Sequence, residues 1–150
     1  MSERTYTSKR FSIVEALAEK FKEIDGTGTY LSNLGPNVFP RLKFWDEVEE
    51  FPAVHMALGT ERREYQGGGY KDRFLAVTLR CYVKAEEPEI ELERLLEDLE
   101  TVIEQNGRLA YQDSQGVAHS TQDITIISID TDEGVLAPLG VGEVILQVRY

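Results

Sequence analysis

Arg73-Phe74-Leu75-Ala76-Val77-Thr78-Leu79-Arg80-Cys81-Tyr82-Val83-Lys84 is the stretch on which the fold turns. Leu75, Val77, Leu79, Cys81 and Val83 alternate with Phe74, Ala76, Thr78, Arg80 and Tyr82, the period of two that turns one face of a strand toward a core. Upstream, Ala53-Val54-His55-Met56-Ala57-Leu58 is also strand-like, with Val54, Met56 and Leu58 sharing a face. Gly67-Gly68-Gly69 lies between the two, so together they predict a β-hairpin over about 53–84. Its outer half, Glu61, Arg62, Arg63, Glu64, Tyr65, Tyr70, Lys71, Asp72 and Arg73, is polar on both faces. An arm without an apolar face has no core to cover and is expected to project from the domain body.

On the N-terminal side, Phe11, Val14, Leu17, Ala18, Phe21 and Ile24 recur three or four residues apart, which predicts a helix over about 8–25. Thr7 or Ser8 would cap it, and Asp25-Gly26 would end it. On the C-terminal side, Pro88 suits a first helical turn, and Leu92, Leu95, Leu96, Leu99, Val102 and Ile103 keep helical spacing until Asn106-Gly107, giving a helix over about 88–106. Leu109, Tyr111 and Val117 suggest a small hairpin around Ser114-Gln115-Gly116. Residues 124–129, Ile-Thr-Ile-Ile-Ser-Ile, are β-branched enough for a buried strand, and Glu143 to Tyr150 alternate, so C-terminal strands are expected over about 122–130 and 142–150. The order is that of one α+β domain spanning 1–150, with two helices packed on one face of a mainly antiparallel β-sheet. The segment 26–51 is punctuated by Gly and Pro yet carries Tyr30, Leu31, Leu34, Val38, Phe39, Leu42, Phe44 and Trp45, so it is expected to pack on the domain or on a neighbour.

Charge narrows the function. Sixteen Lys and Arg against 27 Asp and Glu leave −11, a field that repels phosphate backbones and excludes a surface-wide nucleic-acid binder. Nine acids, Glu86, Glu87, Glu89, Glu91, Glu93, Glu97, Asp98, Glu100 and Glu104, crowd the second helix against Arg94 alone. They read as a solvated face, as the wall of a channel past which DNA slides, or as an acidic mimic of DNA. In the channel reading Glu93, Glu97, Glu100 and Glu104 are the lumen-facing candidates. A single cysteine, Cys81, excludes an intramolecular disulfide and a cysteine zinc site, and its place beside Leu79 and Val83 makes it a core residue. His55, opposite Val54 and Met56, reads as a surface or interface histidine.

Enzyme signatures are absent: no Gly-x-Ser-x-Gly elbow, no phosphate-binding loop and no His-Glu-x-x-His helix. The Gly67–Gly69 run lies between strands, whereas a phosphate cradle leads from a strand into a helix. Asp130, Asp132 and Glu133 have the ligand chemistry of a Mg²⁺-dependent nuclease and equally the composition of a turn. Met1 to Arg10 is polar and no apolar run reaches the roughly 18 residues of a membrane span, so a soluble protein made in a reducing cytosol is expected, with no membrane partner and no cofactor.

Residues 126–140, Ile-Ile-Ser-Ile-Asp-Thr-Asp-Glu-Gly-Val-Leu-Ala-Pro-Leu-Gly, and the closing strand 143–150 resemble the end of the tail terminator (tail completion) proteins of long-flexible-tailed bacteriophages, the siphophages. Phe51 to Glu61 resembles that family's first strand, and Thr101 to Glu104 with Asn106 to Leu109 is similar to its second helix and exit. The resemblance implies a structural protein without enzymatic activity. It would form a homo-hexameric ring that caps the tail tube, stops tube polymerisation and offers a docking face to the head-tail connector or stopper, while genomic DNA passes through without specific binding. Such a protein resides in the virion at the head-proximal end of the tail, and in the host cytoplasm during assembly. On this reading Arg62, Arg63, Glu64, Tyr65, Tyr70, Lys71 and Arg73 meet a neighbouring subunit or the tube, and Asp132, Glu133, Leu136, Pro138 and Leu139 form a connector or subunit loop.

Overall fold

A computed structural model describes residues 8–42 and 44–150. Its centre is the alternating strand. Strand β3, Lys71–Lys84, pairs antiparallel with β2, Ala53–Tyr65, on one side and with β7, Leu139–Arg149, on the other. The two-residue β1, Val38–Phe39, adds in parallel to β2, and β6, Asp123–Thr131, adds antiparallel to β7, giving the order β1-β2-β3-β7-β6. Leu75, Val77, Leu79 and Cys81 are fully buried, facing Val54, Met56, Val144, Leu146 and Val148 of the flanking strands. Burial pushes the Cys81 thiol up to about 12, as expected of an inert core sulfur.

Both helices lie on this face, α1, Arg10–Phe21, over β1 and β2, and α2, Pro88–Gln105, over β3 and β7. From α2, Leu92, Leu95, Leu96, Leu99, Val102 and Ile103 enter the core, each buried leucine contributing about 1.5–3 kcal/mol relative to exposure. The helix comes close to β7 because the strand carries glycine beneath it. A Cβ on Gly140 would lie 2.7 Å from Val83 Cγ2 and 3.1 Å from Pro88 Cβ, and one on Gly142 would lie 3.2 Å from Leu92 Cδ1.

Several expectations are corrected. Helix α1 starts at Arg10 with Lys9 in the cap position and no side-chain cap; Ser8 does not serve, and Thr7 lies outside the described residues. Phe11 is half exposed, and Ile13 takes its place in the buried stripe. The helix stops at Phe21, four residues early, because Glu23 and Ile24 donate to the carbonyls three residues back and Asp25 Oδ1 accepts from Thr27 N at 3.0 Å and from Thr27 Oγ1. Strand β7 begins at Leu139, three residues before the expected start, since its glycines mark close packing and not a turn. Strand β6 is not buried: it is the sheet's outer edge, with Ile124 covered, Ile127 exposed at a bulge between Ile126 and Ser128, and Ile129 partly exposed. The small hairpin pairs β4, Ala110–Gln112, with β5, Ala118–Ser120.

His55 is also not a surface residue. It is 1% exposed, its ring 5.0 Å from Phe39 and 5.5 Å from Tyr82, because the segment after β1 folds over the second face of the sheet at that point. That segment divides: Leu34 and Val38 enter the core, whereas Leu31, Leu42 and Phe44 remain exposed. Asp98, counted among the solvated acids of α2, is 2% exposed. Its carboxylate accepts hydrogen bonds from the backbone N–H of Leu31 and Ser32, at 3.0 and 2.7 Å, and from Ser32 Oγ at 2.6 Å. One buried acid thus fastens the long connection to the helix.

Asp98→Ala would leave these donors without their acceptor, and we expect a loss of about 2–4 kcal/mol by urea unfolding, against less than about 0.5 kcal/mol for its exposed neighbour in Glu97→Ala. Gly140→Ala is expected to lose about 1–3 kcal/mol in the same assay, as added volume presses on Val83 and Pro88.

Candidate functional site

Beyond Arg73, whose backbone pairs with that of Tyr150, no strand among the described residues lies on the β7 side of the β2–β3 hairpin, which stands out as an arm with roughly 10 Å of paired strand before its tip. A bulge in β2, still within the sheet, precedes the arm. Leu58 pairs with Val77 and Glu61 with Leu75, so Gly59 and Thr60 oppose Ala76 alone. The extra residue reverses the alternation and brings Glu61 onto the helix side, where simple period-two counting from Val54 would have put it outside. Glu61 there joins Arg63 at 2.6 Å, the phenol of Tyr150 and, at 4.0 Å, Arg10 of α1. Arg73 lies over the Tyr150 ring at 5.6 Å. On the opposite face Arg62 pairs with Glu64 and lies 4.4 Å over Phe74, while Arg149 reaches Asp72 at 3.0 Å. The root is held by ion pairs and rings on both faces, and toward the tip Tyr65 and Tyr70 are 70% and 75% exposed.

The second group lies at the opposite end of the sheet. Asp132 organises the β6–β7 turn, its Oδ2 accepting from Leu136 N at 3.2 Å and its Oδ1 from Val141 N at 3.3 Å, with Glu133 at φ 55°. The turn presents Val135 and Leu136 to solvent, and Leu136, Pro138 and Leu139 form one wall of an apolar cleft of about 560 Å³. Val48 and Phe51 form the other, residues that the sequence reading did not single out; the surplus of apolar residues in 26–51 was the available signal. The third group, Glu93, Glu97, Glu100 and Glu104, follows a spacing of four, three and four along the exposed face of α2. The three groups therefore do not converge on one site.

Nor do Asp130, Asp132 and Glu133 converge: among the described residues no three His, Cys, Asp or Glu side chains come together to hold a metal ion. The carboxylate of Asp132 is engaged by backbone N–H groups, and Asp130 and Glu133 are exposed at the strand end and in the turn. No helix among the described residues is long and apolar enough to cross a membrane.

Burial pushes the Glu61 carboxyl up, but hydrogen bonds from Tyr150 and Arg63 and the charges of Arg63 and Arg10 outweigh it and hold the group below its ordinary value. Since Glu61 titrates lower folded than unfolded, its stabilisation is complete above the ordinary carboxylate range and is lost as pH falls through the folded value. Acidification from about pH 5 toward pH 3 should reduce hydrogen-exchange protection at the Arg73 and Tyr150 amides, and Glu61→Gln should show less of this pH dependence.

Comparison with known proteins gives a consistent result. A family model described as Bacteriophage Tail Tube Terminator Protein matches residues 7–150. The chain is 36% identical over 150 residues to the tail tube terminator protein p142 of Escherichia phage T5, covering 94% of this chain and 92% of that protein. A chain from the virion of a native gene transfer agent particle shares the fold with a TM-score of 0.55 at 8% identity, covering 92% and 93% of the two chains. With its α+β architecture and projecting hairpin, the chain belongs to the family of bacteriophage tail tube terminator proteins, structural components of the virion tail and not enzymes.

Proposed function

We propose that the chain acts as one unit that assembles into a six-membered ring on the last ring of the tail tube, blocks further tube addition and presents its other face to the head connector. The observation that carries this reading is the arm. Beyond its root the hairpin covers no core of its own domain, and its tip displays two tyrosines, Tyr65 and Tyr70, with Lys71 beside Tyr65, groups suited to contact a second molecule. Arg62, Arg63, Glu64, Tyr65, Tyr70, Lys71 and Arg73 are the residues through which it would bind a subunit or the tube. The loop of Asp132, Glu133, Leu136, Pro138 and Leu139 is a second contact surface, supported by apolar groups left in water on a turn ordered by Asp132.

The acidic stripe fits the wall of a DNA channel. Carboxylates at Glu93, Glu97, Glu100 and Glu104 repel a phosphate backbone, so DNA would pass without adhering. The protein would assemble in the host cytoplasm before joining the virion.

Light scattering and electron microscopy, with and without tail tubes, test the proposal. Six chains of 17.0 kDa give about 102 kDa, and annular particles of that mass, or rings seen at tube ends, are the expected result. A monomer that leaves tubes growing would refute it. Tyr65→Ser/Tyr70→Ser, at exposed tip positions outside the ion pairs of the root, is expected to lower tube capping at least tenfold with the fold unchanged by circular dichroism.

A further inference from the structure

We infer that the apolar cleft between the 46–51 segment and the β6–β7 turn is the receptor for the arm of a second copy of this chain. The inference rests on the ring proposed above and assigns its contact. The cleft and the tip lie at opposite ends of one hairpin: Phe51 and Lys84 stand at the cleft, Tyr65 and Lys71 at the tip, and the fourteen residues of β3 span roughly 45 Å between them. An arm therefore cannot reach the cleft of its own chain.

The two ends match in chemistry. The cleft has an apolar floor of Val48, Phe51, Leu136, Pro138 and Leu139; Lys84 also lines it, and the exposed Asp46, Glu47, Glu49 and Glu50 in and beside it outnumber that cation four to one. Between Arg62 and Lys71 the arm carries three cations against Glu64, in a chain of net charge −11, and between them the two exposed tyrosines. Tyrosine rings fill an apolar floor with their hydroxyls at the wet rim, and arginine and lysine meet the acids there. The intrachain pair of Arg62 with Glu64 does not oppose this, because exposed ion pairs exchange partners readily. The groove along α2 bordered by Glu89, Glu93, Glu97 and Glu100 has the charge but offers Ile90 as its apolar floor, too little for two tyrosines.

A contact between unlike ends of the same molecule is heterologous. It leaves one arm and one cleft open on every partial assembly, so it closes only when the ring is complete. Every subunit of such a ring gives one arm and receives one.

Engineered cysteines test the assignment, since the native Cys81 is fully buried. Tyr65→Cys/Leu136→Cys and, as a second geometry, Tyr70→Cys/Val48→Cys are oxidised in concentrated solution and on tail tubes, with circular dichroism to verify folding. The expected result is a ladder of disulfide-linked multimers ending at the ring, from at least one pair, while each single-cysteine variant stops at dimers. Rings of the correct mass with no ladder from either pair would overturn the cleft as receptor and leave the ring standing. Absence of both ring and ladder would overturn both proposals. A crosslink from the arm to a cysteine-bearing tube protein, with no ladder, would overturn the assignment and give the arm to the tube.

Discussion

The close seating of α2 on β7 governs the rest of the molecule. Gly140 and Gly142 remove the side chains that would hold the helix off the sheet, and Pro88 and Leu92 settle into the space. With its apolar side against β3 and β7, α2 turns its carboxylates outward, so packing decides where much of the chain's negative charge is displayed. The same seating places Asp98 inward, where it collects the backbone donors of Leu31 and Ser32. That bond carries the long 26–51 connection around the end of the sheet, and the connection in turn covers His55 and supplies Val48 and Phe51 to the cleft.

The parts of the fold legible in the sequence were those in which one periodicity answers one environment. Leu75 to Val83 alternate because the central strand has a core on one side, and Leu92 to Ile103 keep helical spacing because α2 lies over that core. Misreadings arose where a residue's usual meaning gave way to its neighbours. The strand expected from about 142 left Gly140 outside it, but the helix above required glycine within the strand. The isoleucines of β6 suggested burial, yet the order of strands put them at an edge, and strand order is not written in local pattern. Asp98 resembled the acids around it until a loop 66 residues away in sequence arrived with unpaired donors.

The candidate surfaces were legible to different degrees. The arm was visible because its two faces are both polar, a composition no core-forming hairpin shows. The bulge that precedes it, at Gly59 and Thr60, was not, and the bulge decides which charges meet: it puts Glu61 with Arg63 and Tyr150, and Arg62 with Glu64 and Phe74. The cleft was invisible because its walls come from residues 46–51 and 136–139, far apart in the chain. Shared exposure of Val135 and Leu136 pointed to the turn without naming what faces it.

Strand β6 leaves one side of the sheet open, and an open edge is a template onto which any stray strand can add. Here the ladder is broken by the bulge at Ile127, and Asp123 and Asp130 stand exposed at the two ends of the strand. An incoming chain would meet a kink and two charges before it could form a continuous row of hydrogen bonds. The bulge and the two charges thus blunt an edge that would otherwise offer its exposed Ile127 and Ile129 to another strand.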